Sequence, residues 1–221
     1  MGQDDLKRAV AAAALQYVEP DMVLGVGTGS TADFFIGLLA ASGIRLRAAV
    51  ASSDATAAQL RAAGLPLADL PAAPSPDLYV DGADQVDPRL RLIKGRGGAH
   101  FREKLIASLS GRFLCIVDVS KLAPELGGVP VPVEVVAPAA AFVAARIAAM
   151  GGAVTERRGF ITDNGNPVLD VTGLDLSDPE ALEIGLDALP GVVECGIFAR
   201  RPADLVLCAG PDGVRLVEPQ A

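Results

Sequence analysis

Apolar residues in the first half of the chain alternate between helical spacing and short continuous runs. The spacing predicts helices over residues 6–18, 31–41, 54–63 and 101–109, and the runs predict strands over residues 22–26, 47–51, 78–80, 89–93 and 113–117. Strands that alternate with helices build right-handed β-α-β units. This half of the chain therefore predicts a parallel sheet that is covered by helices on both faces.

The pattern changes near residues 127–128, which are both glycines. Beyond them, strands are predicted over residues 131–136, 153–157 running on to 160–162, 167–172 and 192–198, and helices over residues 139–150 and 179–188. The Asp-Asn-Gly-Asn sequence at residues 163–166 is typical of a hairpin turn. The order β-α-β-β-α-β is that of a ferredoxin-like unit. A last hairpin over residues 204–208 and 214–217 is expected to return to the first sheet.

The predicted fold class is therefore α/β, a Rossmann-like parallel sheet with helices on both faces plus a smaller ferredoxin-like (βαββαβ) α+β domain. Residues 1–127 and 203–221 are assigned to the Rossmann-like domain, and residues 128–202 to the smaller domain.

The composition of the 221 residues, with 51% hydrophobic and 21% charged residues, suits a well-packed core. A net charge of −8 argues against nucleic acid or an anionic membrane as the main partner. Cys115, Cys195 and Cys208 lack Cys-x-x-Cys spacing, which predicts buried, reduced thiols. No apolar run approaches the ~18 residues of a membrane span, and the first residues lack the apolar stretch of a signal peptide. These features predict a cytoplasmic protein.

Polar residues and glycines follow the predicted strands of the first sheet. Ligands of an open parallel sheet bind beyond the carboxyl ends of its strands. The segments found there are Gly25-Val26-Gly27-Thr28-Gly29-Ser30-Thr31, Ser52-Ser53-Asp54, Asp81-Gly82-Ala83-Asp84, Lys94-Gly95-Arg96-Gly97-Gly98 and Asp118-Val119-Ser120-Lys121. Glycines, hydroxyls, carboxylates and lysines therefore converge on one edge of the predicted sheet.

The glycine loop, Gly27-Thr28-Gly29-Ser30-Thr31, is the best candidate for a phosphate site. Its glycines let backbone N–H groups close on an anion, and the following helix presents the positive end of its dipole. It is not a Walker loop, because no Lys-Ser/Thr pair follows, and Ser30 stands where a dinucleotide fingerprint needs its third glycine. The alternative is a tight strand-to-helix turn in which Ser30 or Thr31 caps the helix.

Three carboxylates admit either a chemical or a structural interpretation. Asp81 and Asp84 fit an Asp-Gly turn or a site for a hard ion such as Mg²⁺. Glu103, in the first turn of a predicted helix, either interacts with the helix dipole or acts as a base whose basicity is raised by burial. His100, the single histidine, is expected to cap or pack rather than to act as a ligand or a base.

The lysines distinguish the chemical from the structural interpretation better than the carboxylates do, because only four of the 19 cationic residues are lysines. These are Lys7, Lys94, Lys104 and Lys121. Lys94 and Lys121 lie on the strand-end segments, where a compact charge with a tunable pKa suits an oxyanion or a proton shuttle. Lys104 is expected to be a solvated surface charge.

Several of these segments resemble ribose-5-phosphate isomerase, type A. They are Val-Leu-Gly-Val-Gly-Thr-Gly-Ser-Thr (23–31), Ser-Ser-Asp (52–54), Tyr-Val-Asp-Gly-Ala-Asp (79–84), Ile-Lys-Gly (93–95) through Arg-Glu-Lys (102–104), Pro-Val-Glu-Val (132–135) and Thr-Asp-Asn-Gly-Asn (162–166). The resemblance spans essentially the whole chain in order. Arg96 departs from it, since many members have a third glycine there, and so does the pair His100-Phe101; both concern the shape of one loop.

The resemblance implies that ribose 5-phosphate and ribulose 5-phosphate are interconverted through an enediolate, in the pentose phosphate pathway, without metal or organic cofactor. It assigns the proton transfer between C2 and C1 to Glu103, and ring opening and proton movement between oxygens to Asp81 and Lys94. The substrate contacts that it implies are Lys7, Thr28, Gly29, Ser30, Thr31, Asp81, Gly82, Ala83, Asp84, Lys94, Gly95, Arg96, Gly97 and Lys121. The smaller domain becomes a lid or an oligomer contact, and a homodimer or homotetramer is expected.

Two other classes of function remain open at this point. A non-catalytic sugar-phosphate sensor would use the same anion site, although the acidic chain carries no helix-turn-helix extension for DNA. A nicotinamide-dependent enzyme would combine the glycine loop with Asp54.

Overall fold

The structure, a computed structural model, describes residues 2–72 and 74–220, so residues 1, 73 and 221 of the predicted domain ranges lie outside it. Within these residues the α-helices are α1 (Gln3–Ala14), α2 (Ser30–Ser42), α3 (Asp54–Ala62), α4 (His100–Leu109), α5 (Ala140–Ala149) and α6 (Pro179–Asp187). The strands are β1 (Val23–Val26), β2 (Ala48–Ala51), β3 (Leu67–Ala68), β4 (Leu78–Asp81), β5 (Gln85–Val86), β6 (Leu92–Ile93), β7 (Arg112–Asp118), β8 (Val131–Val135), β9 (Ala153–Glu156), β10 (Val168–Thr172), β11 (Val192–Cys195), β12 (Ile197–Phe198), β13 (Leu205–Gly210) and β14 (Gly213–Leu216).

The main sheet has seven strands in the order β14-β13-β7-β4-β1-β2-β3. All neighbours are parallel except β13 and β14, which form the last hairpin and return to this sheet as predicted. Successive side chains of β4 enter different cores, Leu78 and Val80 on the α1 and α2 side and Tyr79 on the α4 side. Both faces of the sheet are therefore buried, which explains the continuous apolar runs.

Residues 131–195 form the second unit, whose four antiparallel strands lie in the order β11-β8-β10-β9. With α5 and α6 this is the β-α-β-β-α-β arrangement, so the predicted ferredoxin-like fold is confirmed. The cap of α6 is also as predicted, because the Asp178 side chain accepts the N–H of Ala181 and Pro179 opens the helix. The exact limits of the two domains stay a prediction.

Two predicted strands are wrong in part. The predicted strand over residues 192–198 is divided at Gly196, where a Cβ atom would come within 2.2 Å of the Lys94 carbonyl oxygen. Its second part, β12, pairs with β6 in a separate antiparallel sheet of order β12-β6-β5. The predicted strand over residues 89–93 shrinks to β6, because the Asp87 side chain accepts the N–H groups of Arg89 and Arg91 and bends the chain there.

The predicted continuation of β9 over residues 160–162 is also wrong, since β9 ends at Glu156 and Gly159, with φ 68°, turns the chain. All three cysteines are free and buried, as predicted. Among the residues described, none of the helices combines the length and the apolar character that crossing a membrane requires.

Candidate active site

A cavity of about 430 Å³ lies at the carboxyl ends of β1, β4 and β7. The predicted site residues that line it are Lys7, Thr28, Gly29, Ser30, Thr31, Gly82, Ala83, Asp84, Lys94, Gly95, Arg96, Gly97, Glu103 and Lys121. Other residues that line it are Gln3, Ile116, Val117 and Asp118. Asp118 ends β7, so its strand-end position could have placed it among the substrate contacts, whereas no sequence signal singles out Gln3.

Asp81, the last residue of β4, lies fully buried behind the cavity wall. Its Oδ2 accepts hydrogen bonds from the Tyr79 hydroxyl at 2.5 Å and the Lys94 ammonium at 2.7 Å. Its Oδ1 accepts from the backbone N–H groups of Gly82 at 2.7 Å and Thr28 at 3.1 Å. Burial, followed by the charge of Asp81, holds the pKa of Tyr79 well above its usual value, so the hydroxyl stays a donor. Four donors therefore fix this carboxylate.

The ammonium group of Lys94 joins Asp81 to Glu103. It lies 2.7 Å from Asp81 Oδ2, 3.2 Å from Glu103 Oε2 and 2.5 Å from the carbonyl oxygen of Gly82. Burial alone would lower the pKa of Lys94, but the charges of Asp81 and Glu103 outweigh burial and raise the pKa above its usual value. Lys94 therefore carries a fixed positive charge at the cavity.

Glu103 lies on the cavity wall in the first turn of α4 and is 4% exposed. Its Oε2 is near the Lys94 ammonium but makes no hydrogen bond within the residues described. Burial raises the pKa of Glu103 to about 8, against the opposing charge of Lys94 and with the support of Asp81. An interaction with the helix dipole alone would not require this burial. The arrangement is that of a carboxylate able to accept a proton from carbon near neutral pH.

The glycine loop brings the start of α2 to the other part of the cavity wall. Gly29, with φ 109°, is the N-cap of α2, and among the residues that the structure describes no side chain caps this helix, so the alternative of a Ser30 or Thr31 cap is wrong. The first N–H groups of a helix have no helical acceptor and suit an anion. Gly27 is needed for close approach, because a Cβ atom there would lie 1.8 Å from Asp81 Oδ1.

Thr28 differs from the rest of the loop because its polar groups have internal partners. Its hydroxyl lies 2.7 Å from the Ser52 hydroxyl and 3.2 Å from that of Thr56, and its N–H donates to Asp81. Ser52 is thus a buried support behind the loop rather than part of the cavity wall.

The remaining predicted contacts form the rim of the cavity. Lys7 comes from α1 and pairs weakly with Asp4 at 3.5 Å. Lys121 ends a short 3-10 helix, Val119–Lys121, whose first turn is held by the Asp118 carboxylate through the Ser120 N–H.

On the loop side of the rim, Asp84 Oδ2 accepts the N–H of Arg96 at 2.9 Å. Residues 82–84 and 94–97 therefore form one connected wall of the cavity.

The sequence over residues 48–213 matches the family described as Ribose 5-phosphate isomerase A (phosphoriboisomerase A). The chain belongs to this family. It is 51% identical to the Ribose-5-phosphate isomerase A of Bordetella petrii over 98% of both chains, and 53% identical to that of Legionella pneumophila over 95% of this chain and 97% of the other.

Solved structures of the isomerase family share the whole fold. The crystal structure of ribose 5 phosphate isomerase A from Neisseria gonorrhoeae has a TM-score of 0.98 at 40% identity, covering 100% of this chain and 99% of that one. A D-ribose-5-phosphate isomerase in complex with phospho-erythronic acid has a TM-score of 0.94 at 37% identity, covering 99% of this chain and 100% of that one.

Lys104 contradicts the expectation of a solvated surface charge for this member of the isomerase family. It is 7% exposed, and its ammonium binds Glu194 Oε1 at 2.6 Å, Glu183 Oε1 at 2.9 Å and the carbonyl oxygen of Cys195 at 2.9 Å. The ferredoxin-like unit covers this side of α4, which the sequence of the helix alone does not reveal.

His100 packs as predicted. Its ring lies against Gly95, where a Cβ atom would come within 2.7 Å of Nδ1, and Nε2 lies 3.3 Å from the Glu194 carbonyl oxygen. Burial, together with the charge of Lys104, lowers the pKa of His100 to about 3, so the ring is neutral and unsuited to act as a base at neutral pH.

The geometry also bears on the metal and nicotinamide alternatives. Within residues 2–72 and 74–220, three potential metal ligands within 4.8 Å of one another occur at Asp187, Glu194 and Cys195, none of which lines the cavity. The Lys104 ammonium already binds Glu194 there.

Asp54, which the nicotinamide alternative needs beside the glycine loop, instead accepts a hydrogen bond from Arg102 at 2.7 Å and does not line the cavity.

Proposed function

We propose that the chain interconverts ribose 5-phosphate and ribulose 5-phosphate, the activity for which its relatives are named, with Glu103 as the base. The observation that carries the assignment of the base is the buried carboxylate of Glu103, whose Oε2 lies 3.2 Å from the buried ammonium of Lys94 and makes no hydrogen bond within the part of the chain that the structure describes. An aldose–ketose isomerase needs a base for a carbon-bound proton and a cation for the oxygen that becomes negative.

In the proposed reaction the Glu103 carboxylate takes the proton from C2 of the open-chain aldose. The C2–H electron pair forms the C1–C2 double bond, and the carbonyl π electrons move to O1, which gives an enediolate. Lys94 stabilises the negative oxygen in a region from which water is largely excluded. Return of the proton from Glu103 to C1 yields the ketose.

Asp81 is proposed to act with Lys94 in ring opening and in moving the proton between O2 and O1. Their carboxylate and ammonium groups are 2.7 Å apart, which is within proton-transfer reach. Because four donors hold Asp81, its carboxylate keeps the same position beside Lys94 from one turnover to the next.

The phosphate is proposed to bind at the start of α2, through the N–H groups and hydroxyls of Ser30 and Thr31 and the N–H of Gly29, with Lys7 as counter-charge. The internal bonds of Thr28 leave it a supporting role in this proposal. Asp84 and Lys121 are proposed to hold the sugar hydroxyls, and Gly82, Ala83, Gly95, Arg96 and Gly97 supply the wall around them.

The proposed reaction moves only protons and needs no metal or organic cofactor. The place of the reaction in the non-oxidative pentose phosphate pathway follows the role of the family. A cytoplasmic location, a homodimer or homotetramer, and a role of the ferredoxin-like unit as a lid or oligomer contact stay predictions.

Chelator-treated protein is expected to form ribulose 5-phosphate from ribose 5-phosphate, as followed by NMR of the sugar carbons. Binding of ribose 5-phosphate without any ketose would favour the non-catalytic sensor. Activity that is lost with EDTA and restored by a divalent ion would contradict the metal-free reaction.

The pH dependence of kcat/KM is expected to show an acidic limb near pH 8. The base must be ionised to accept a proton, and burial has raised the pKa of Glu103 to about 8, so kcat/KM should rise about tenfold per pH unit below that value and then level off. Initial rates from about pH 4 to pH 9 cover both this limb and a limb at the ordinary carboxyl pKa. A limb that stays near the ordinary carboxyl value of 4.5 would contradict a buried Glu103 base.

A further inference from the structure

Glu134, on β8 of the ferredoxin-like unit, is a fully buried carboxylate that the proposed reaction does not use. Within the described residues no lysine or arginine forms an ion pair with it, and its donors are Thr162 Oγ1 at 2.9 Å, Asn164 Nδ2 at 3.1 Å and Asn166 Nδ2 at 2.8 Å. A buried carboxylate is costly unless hydrogen bonds satisfy it. Glu134 therefore fixes the shape of the turn over residues 162–166.

The turn over residues 162–166 also holds the side chain of Arg102. The guanidinium donates to Asn164 Oδ1 at 2.9 Å, to the carbonyl oxygen of Asp163 at 3.0 Å and to Asp54 Oδ1 at 2.7 Å. Asp163 Oδ2 also accepts the N–H of Asp54 at 2.8 Å, which connects the start of α3 to the same turn. We call Arg102, Asp54, Asp163 and Asn164 the Arg102 clamp.

The Arg102 clamp acts on the first turn of α4, which also carries Glu103. Neighbouring residues of a helix point about 100° apart, so Arg102 can face the turn while Glu103 faces the cavity. A planar guanidinium held by three acceptors on two segments, the turn over residues 162–166 and the start of α3, restricts the rotation and position of this helix turn. A displacement of about 1 Å at a reacting group can cost about 10² in rate.

We propose that Glu134 and the turn over residues 162–166, through Arg102, position the Glu103 carboxylate for proton transfer. Arg102 is thus a positioning residue, and so is Glu134. This inference rests on the proposed role of Glu103, and it gives a function to the Pro-Val-Glu-Val and Thr-Asp-Asn-Gly-Asn segments, neither of which lines the cavity.

Arg102→Met is expected to lower kcat about 10²-fold while KM changes by less than about threefold, because the proposed phosphate site at α2 is untouched. Arg102→Lys, which can reach one acceptor, should lose about tenfold. The acidic limb of kcat/KM should move below pH 8 in Arg102→Met as water reaches Glu103. This variant leaves unchanged the charged groups that act on Glu103, which are Lys94, Asp81 and Asp84. Loss of the Arg102 cation alone would move the acidic limb to higher pH.

Arg201→Met is the matched control. Arg201 is 24% exposed against 23% for Arg102, and it also holds α4, through the carbonyl oxygen of Ala107 near the end of the helix. Its loss should affect thermal stability but leave kcat within about threefold and the acidic limb near pH 8. The double variant Arg102→Met/Glu134→Gln should lose about as much kcat as Arg102→Met alone, because both residues act through one path.

The proposal fails if Arg102→Met keeps kcat within about threefold of the wild type, or if it matches Arg201→Met in both kcat and pH limb. If Arg102→Met does not fold, Arg102→Lys and Asn164→Ala carry the same comparison. If Glu103→Gln keeps full activity, the assignment of Glu103 as the base is wrong. If Glu103→Gln is inactive but Arg102→Met keeps the kcat of the wild type, only the positioning role of Arg102 is wrong.

Discussion

Replacing Glu103 by glutamine is expected to lower kcat by about 10²- to 10⁴-fold, the usual contribution of a positioned base, with little change in KM. Glutamine keeps the shape of the side chain but cannot accept the C2 proton. Initial rates in both directions and the exchange of deuterium from C2 into water measure the effect. Exposed Glu180, replaced by glutamine, is the control and should leave both unchanged.

Stability separates this loss from misfolding. Burial has raised the pKa of Glu103 from 4.5 to about 8 in the folded chain, so the folded chain favours the protonated carboxyl group. The contribution of this group to the free energy of unfolding is therefore fully present below pH 4.5 and is lost as pH rises through 8. A neutral glutamine avoids the ionised, buried carboxylate, so the Tm of Glu103→Gln relative to the wild type should improve as pH rises from about 5 to 9. A variant that is folded and keeps full turnover would contradict the assignment of Glu103 as the base.

The position of the site was predictable because strand ends of a parallel sheet share one edge. Asp81 ends β4 of this sheet, so local patterns alone place it at that edge, whereas Lys94 follows β6 of the separate antiparallel sheet and reaches Asp81 through tertiary packing. The antiparallel pairing of β6 with β12 was not predictable, since it depends on Gly196 approaching the Lys94 carbonyl from a distant segment.

The buried face of α4 shows where sequence pattern is insufficient. The spacing of Phe101, Leu105 and Leu109 correctly predicts a helix, yet Leu105 and Leu109 are exposed. The buried residues include Glu103 and Lys104 instead, because the cavity and the ferredoxin-like unit cover that side. Burial of a charged side chain depends on partners distant in sequence, and the partners of Lys104 lie 79 and 90 residues away.

The turn over residues 162–166 lies between these cases. Asp-Asn-Gly-Asn predicts a turn, and Gly165 adopts φ 84° there. The side chains that make the turn useful to α4, however, bond across 62 residues to Arg102 and 30 residues to Glu134. The local sequence thus predicts the turn, whereas the residues that its side chains bind can be identified only in the folded structure.

Replacing Lys94 by methionine is expected to lower kcat by about 10²- to 10³-fold and to destabilise the fold by about 3–5 kcal/mol. Methionine fills a similar volume without the charge that faces the enediolate. The carboxylates of Asp81 and Glu103, which lie on either side of the Lys94 ammonium, are at most 5% exposed. In the variant they would stay buried without a cation between them. Denaturant unfolding and steady-state rates measure the two losses.

The pH limb and a second variant distinguish a lost charge from general damage. Lys94 now lowers the pKa of Glu103, so in Lys94→Met the acidic limb should move above pH 8. Lys94→Met/Asp81→Asn should regain part of the lost stability, because one buried charge is removed, but none of the activity. Lys104→Met is the matched control, since Lys104 is also buried between two carboxylates; it should lose stability while its limb stays near pH 8. A limb that stays near pH 8 in Lys94→Met would show that the ammonium does not act on Glu103, and the proposed electrostatic coupling of the pair would be wrong.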